Sequence, residues 1–166
     1  LITVAVTVIM QANPPQTDLS AVPVKVKYSA PELELTDTAG NPASLKSYHG
    51  QVVLVNLWAT WCPACKEEMP ALESFFRKYK DDGFVIVAIN DGDPTADVLQ
   101  FVEDYGLTFP VWLDPEYIAT EQAFKTLNLP TSFVIDRSGT IVLSWVGGTN
   151  GKTLEKYVTP IIKEQE

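Results

Sequence analysis

From Ala30 onward, short apolar runs alternate with polar breaks that contain glycine, and the length and period of each run identify an element. Leu33-Glu34-Leu35-Thr36 and Ala43-Ser44-Leu45 flank the turn cluster Asp37-Thr38-Ala39-Gly40-Asn41-Pro42, which predicts a β-hairpin. After Gly50, the near-continuous apolar run Val52-Val53-Leu54-Val55-Asn56-Leu57-Trp58 predicts a central strand covered on both faces. A long helix follows from Pro63 to Lys80, then a second buried strand over Phe84–Ile89. Thr95 to Tyr105 predicts a helix closed by Gly106, and Phe109 to Leu113 a short additional strand. Glu116 to Thr126 reads as helical. Ser132–Asp136 and Thr140–Trp145 form a second hairpin across Arg137-Ser138-Gly139, and a last helix covers Lys152 to Lys163. The order implies an α/β fold: a mixed central sheet flanked by helices, with an N-terminal β-hairpin.

Helical periodicity singles out one residue. At about 100° per residue, Cys65, Met69, Leu72, Phe75, Phe76 and Tyr79 share an arc about 120° wide, which should face the sheet. Lys66, Glu67, Ser74, Arg77 and Lys78 occupy the other side. Glu68 falls inside the apolar arc, one turn beyond Cys65. Burial there would raise its pKa and make it a proton acceptor and donor near neutral pH, unless distortion at Pro70 turns it outward.

The chain opens on the charge-free run Leu1 to Met10, too short for a bilayer that needs about twenty apolar residues. The expectation is the remnant of a transmembrane anchor, with a cleaved secretory signal or a β-strand as alternatives. Gln11 to Val26, with Asn13-Pro14-Pro15 and Pro23, reads as a linker. The expected organisation is an anchor and linker over 1–29 and one domain over 30–166. A length of 166 residues suits a single core, and 46% hydrophobic residues suffice to build one. Twenty-one acidic against twelve basic side chains give a net charge of -9, which repels nucleic acid and anionic lipid. Any membrane attachment is therefore expected through the N-terminal run alone.

The chain has two cysteines, Cys62 and Cys65, so they either pair or bind something together. A structural zinc site wants four ligands, and His49 is the only further nitrogen candidate. A purely structural disulfide closing so short a loop stabilises little. Redox exchange remains. Cys62 stands where a strand gives way to a helix, so the positive helix end lowers its pKa and favours the thiolate. Pro63 suits the first helical position, and the amides of Ala64 and Cys65 stay free to donate to the Cys62 sulfur. Cys62 can attack a partner disulfide, and Cys65 can resolve the mixed disulfide.

On Val52 to Cys65, on Glu68 with Pro70, on the inserted Thr95 to Leu113 region and on Leu129-Pro130-Thr131-Ser132-Phe133-Val134-Ile135-Asp136, the chain resembles the thioredoxin superfamily. Within it, the chain is similar to the extracytoplasmic, membrane-anchored TlpA/ResA-like thiol-disulfide oxidoreductases, over Ala30 to Glu166. The resemblance implies a thioredoxin-like fold, a cis bond before Pro130, and a substrate polypeptide received along Leu129, Pro130 and Thr131 and against Trp61, Pro63 and Ala64. It implies that the carboxylate which cytoplasmic thioredoxins carry at the place of Asn56 has moved to Glu68. The chain departs from most relatives in having Ala64, not proline, before the second cysteine. That leaves the direction of electron flow open.

The resemblance further implies disulfides of exported proteins, such as apocytochrome c, as substrates, and a transmembrane electron donor. The expected working unit is a monomeric soluble domain with no cofactor beyond the Cys62-Cys65 disulfide and no metal. A different class of function is a binding protein that holds copper or another soft metal between the two thiolates. Peroxide reduction is a third reading. His49 and the Asp91-Gly92-Asp93 stretch read as turn residues and Trp58 as core, while Trp112 and Trp145 carry no functional signal.

Overall fold

The computed structural model describes residues 21–164, so the apolar run 1–10 and most of the predicted linker lie outside the described residues. Among the described residues, β1 (Val24–Ser29), β2 (Glu34–Asp37), β3 (Pro42–Ser44), β4 (Val52–Trp58), β5 (Phe84–Asp91), β6 (Val111–Asp114), β7 (Thr131–Ile135) and β8 (Thr140–Val146) form one sheet. Their order is β1-β8-β7-β4-β5-β6-β2-β3. β4, β5 and β6 are parallel, while β7 runs antiparallel to β4, so the sheet is mixed as predicted. The helices are α1 (Pro63–Tyr79), α2 (Thr95–Tyr105), α3 (Gly151–Tyr157) and α4 (Thr159–Lys163). None of them is long and apolar enough to cross a membrane.

The centre of the sheet is dry because its strands are. Every residue of β4 and β7 is buried, and β5 is buried up to its last residue. The inserted α2–β6 element joins the hairpin to this core: β6 pairs with β5 on one side and with β2 on the other. Trp58, at the end of β4, packs on Phe101 of α2 with ring centroids 4.5 Å apart, and Phe101 stacks on Tyr105. Trp58 is thus core.

Three expectations are corrected. Val24–Ser29, assigned to linker and to the region before the domain, is a sheet strand paired with β8. Its Val24, Val26 and Tyr28 alternate with Lys25, Lys27 and Ser29, but Pro23 and Pro31 on either side obscured the pattern. Glu116 to Thr126 is not an ordinary helix; it holds a π-helical turn, Ile118–Ala123, bracketed by Tyr117 and Lys125 at φ 57° and 52°. The last helix is broken into α3 and α4, because Pro160 lacks the N–H that a continuous helix would direct to the carbonyl four residues earlier.

Arg137 stands in the β7–β8 turn. Its guanidinium donates to four backbone carbonyls, those of Gly50, Gly83, Asp82 and Ile162, and so ties the approaches to β4 and β5 to α4. Arg137→Ala is expected to lower unfolding free energy by about 2–3 kcal/mol, because it strips a charged donor from several carbonyls at once. Urea denaturation checks this, with the midpoint moving and the slope unchanged.

Candidate active site

Parallel β4 and β5 end side by side, and the chemistry-bearing residues sit at those carboxyl ends, where open α/β sheets place their sites. Beyond Trp58 the chain turns through Ala59-Thr60-Trp61-Cys62, a turn closed by Cys62 N–H donating to the Ala59 carbonyl at 3.3 Å. Cys62 then caps α1 with an extended backbone, and Pro63 begins the helix, as its fixed φ and missing donor favour.

Cys62 and Cys65 form a disulfide. The Cys65 N–H donates to the Cys62 sulfur at 3.2 Å, so the first cysteine holds a helix-end donor of the kind that stabilises a thiolate after reduction. Cys62 is 4% exposed and Cys65 is fully buried, so Cys62 is the more accessible of the two. Trp61 beside it is 66% exposed, Pro63 is exposed and Ala64 half-buried.

Glu68 is buried, at 1% exposure, and α1 carries Pro70 on its solvent side without turning Glu68 outward. One carboxylate oxygen accepts the Asn56 side-chain N–H at 2.8 Å, and the other accepts the Thr149 backbone N–H at 2.9 Å. Burial pushes its pKa from 4.5 up to about 8, against the opposing pull of those two hydrogen bonds. Asn56 also donates to the Ser132 hydroxyl at 3.0 Å. Asn56, Ser132 and Trp145 stand opposite one another across β4, β7 and β8, so they share one face of the sheet. Among the described residues, Asn56 Oδ1, Thr149 Oγ1 and Trp145 Nε1 are buried without hydrogen-bond partners. A buried polar patch thus underlies the helix that carries the cysteines.

The Leu129-Pro130 bond is cis. Leu129 is half-buried, while Pro130 and Thr131 are buried, and Thr131 donates its hydroxyl to the Asn128 carbonyl. The Pro130 carbonyl accepts Gly147 N–H at 2.8 Å, and a Cβ on Gly148 would meet the Ala64 carbonyl at 3.5 Å. The Gly147-Gly148 turn therefore links the proline loop to the cysteine helix and delivers Thr149 N–H to Glu68.

His49 is exposed in a connector. Among the described residues, no group of three or more His, Cys, Asp and Glu side chains could hold a metal ion. Sequence reasoning missed Ser132 and Thr149, although Ser132 is a polar residue in an otherwise apolar strand, a signal of a buried partner. Thr149 engages through its backbone, and no side-chain pattern reports that.

Residues 26–144 match the model of the AhpC/TSA family. The chain is 36% identical over 141 residues to the thiol-disulfide oxidoreductase ResA of Geobacillus kaustophilus (strain HTA426), covering 83% of this chain and 79% of that protein. Its structure is similar to that of a thiol:disulfide interchange protein of the thioredoxin family from Chlorobium tepidum TLS. There the TM-score is 0.73 with 28% identity, over 82% of this chain and 97% of that one. A secreted thiol-disulfide isomerase from Corynebacterium glutamicum shares the fold with a TM-score of 0.79 at 21% identity, over 93% of this chain and 98% of that one.

Proposed function

Because the chain belongs to the AhpC/TSA family and is a thiol-disulfide oxidoreductase of the ResA type, we propose that it reduces disulfides in exported proteins, with apocytochrome c as one substrate class. The observation that carries this reading is the Cys62-Cys65 disulfide at a helix N-terminus with buried Glu68 one turn along. In the reduced protein, the Cys62 thiolate attacks one sulfur of the partner's disulfide. A Cys62-partner disulfide forms, and the other partner sulfur leaves as a thiolate. Glu68 in its ionised form takes the proton of Cys65, whose thiolate attacks the Cys62 sulfur and releases the second partner thiolate. Two electrons pass to the partner and the Cys62-Cys65 disulfide re-forms. A membrane dithiol donor would return the electrons.

Trp61, Pro63, Ala64, Leu129, Pro130 and Thr131 are the proposed contacts of the partner polypeptide. Exposed Trp61 and Pro63, on either side of Cys62, support that assignment. The proposed location is the outer side of the cytoplasmic membrane, with attachment through the charge-free run 1–10.

The test is the reduction potential of the couple, measured by equilibration with glutathione. A reductase is expected at or below about -230 mV. A potential near the about -120 mV of strongly oxidising dithiol proteins would make this protein an oxidant and reverse the proposed direction.

A further inference from the structure

The Asp91-Gly92-Asp93 turn that ends β5 has no place in the exchange chemistry, yet it is held from two sides, Asp91 and Gly92 by residues 117–120 and Asp93 by the turn that precedes Cys62. Asp93 Oδ2 accepts the backbone N–H of Thr60 at 2.6 Å and the side-chain N–H of Asn90 at 2.8 Å. Asp93 N–H donates back to Asn90 Oδ1 at 3.0 Å. Gly92 stands at φ 83°, and a Cβ there would lie 2.5 Å from the ring of Tyr117, so that ring closes over the turn from outside. Asp91 accepts the hydroxyl of Thr120 at 2.8 Å. Asn90 thus grips both the backbone N–H and the carboxylate of Asp93 and orients the carboxylate toward Thr60.

Thr60 lies inside the turn that presents the nucleophile. The turn's own hydrogen bond runs from Cys62 N–H to the Ala59 carbonyl, which leaves the Thr60 N–H free for an outside acceptor. Asp93 is that acceptor. Asn90 stands opposite Trp58 across the β5/β4 ladder, so the clamp joins the ends of the two strands on either side of the site. Trp61, the next residue in the turn, is 66% exposed and gains little fixation from packing.

We propose that Asp93 is a positioning residue for thiol-disulfide exchange with protein partners: through the Thr60 N–H it fixes the Ala59–Cys62 turn and so presents Trp61 and Cys62 in docking geometry. The proposal rests on the oxidoreductase reading of Cys62 and Cys65. A turn ordered in advance spares the encounter the cost of ordering it, and that saving counts only when a polypeptide must dock. A small disulfide needs only the sulfur.

The experiment compares wild type, Asp93→Ala and Asp93→Asn in reduction of a disulfide-bonded protein, insulin, and of a small aromatic disulfide, 5,5′-dithiobis(2-nitrobenzoate). Asp93→Ala is expected to lower kcat/KM for insulin between about tenfold and a hundredfold, mostly through KM, and to change the rate with the small disulfide less than about threefold. Asp93→Asn retains an acceptor oxygen without the charge and is expected to restore the insulin reaction. Full activity of Asp93→Ala on insulin overturns the proposal, as does equal slowing on both substrates. An Asp93→Asn variant as impaired as Asp93→Ala also overturns it, since charge and not the hydrogen bond would then be at work. Wild-type protein that reduces neither disulfide removes the oxidoreductase reading itself, a result distinct from the other three.

Discussion

Cys65→Ala is expected to turn a catalyst into a trap. The features that activate Cys62 survive the substitution: Pro63 still starts α1, and the donor to the Cys62 sulfur is the backbone N–H of residue 65, which alanine keeps. Attack on a partner disulfide should therefore proceed, while resolution has lost its nucleophile. Multiple turnover should fall by several orders of magnitude, and a covalent adduct through Cys62 should accumulate and dissolve on adding dithiothreitol. Non-reducing electrophoresis and intact mass check this, with Cys62→Ala as the partner experiment. The burial of Cys65 behind Cys62 requires that Cys62→Ala form no comparable adduct. A stable adduct through Cys65 would exchange the two roles.

The second large effect is on pH. Glu68 stays protonated to about pH 8 in the folded chain, against 4.5 for an ordinary glutamate. Between those values the folded chain holds a proton that the unfolded chain has released, so stability falls as pH rises from about 4.5 and the loss is complete above about 8. At 1.36 kcal/mol per unit, the full penalty is roughly 5 kcal/mol. Glu68→Gln carries no charge to bury; its amide oxygen can still accept the Thr149 N–H, and its NH2 can donate to the Asn56 Oδ1, which has no partner in the wild type, once the Asn56 amide turns over. Its stability should therefore be flat through this range and exceed that of wild type at pH 9 by several kcal/mol. Urea melts at pH 5, 7 and 9 measure the difference.

The same substitution separates structure from chemistry. In wild type, the rate of Cys65 resolution should carry an inflection near pH 8 from Glu68, and in Glu68→Gln that inflection should vanish. Identical rate profiles in the two proteins would remove Glu68 from the proton path even if the stability effect appears.

Much of the site is legible in the residue order because its signals are local. Pro63 at a helix start, two cysteines one turn apart, and a glutamate within an apolar arc are properties of a single helix, and the helix forms as its periodicity requires. The unbroken apolar runs of β4 and β5 report their burial in the same way. Pro160 carried a local signal too, one outweighed by the apolar spacing on either side of it. Val24–Ser29 showed its alternation, but only pairing with β8 makes it a strand and not a linker.

What no local pattern specifies is which distant group completes a polar atom. Thr149 N–H reaches Glu68 across 81 positions, and Asp93 takes the Thr60 N–H across 33. The residue types along the chain therefore determined the reaction, through the cysteines and the helix end that activates them, and placed an acid beside them. The tertiary structure alone decided how strongly that acid holds its proton and which carboxylate takes the Thr60 N–H in the turn before Cys62. The physical reason is that desolvation and hydrogen-bond completion depend on every element packed around a group, whereas helical period and capping depend on a few neighbours along the chain.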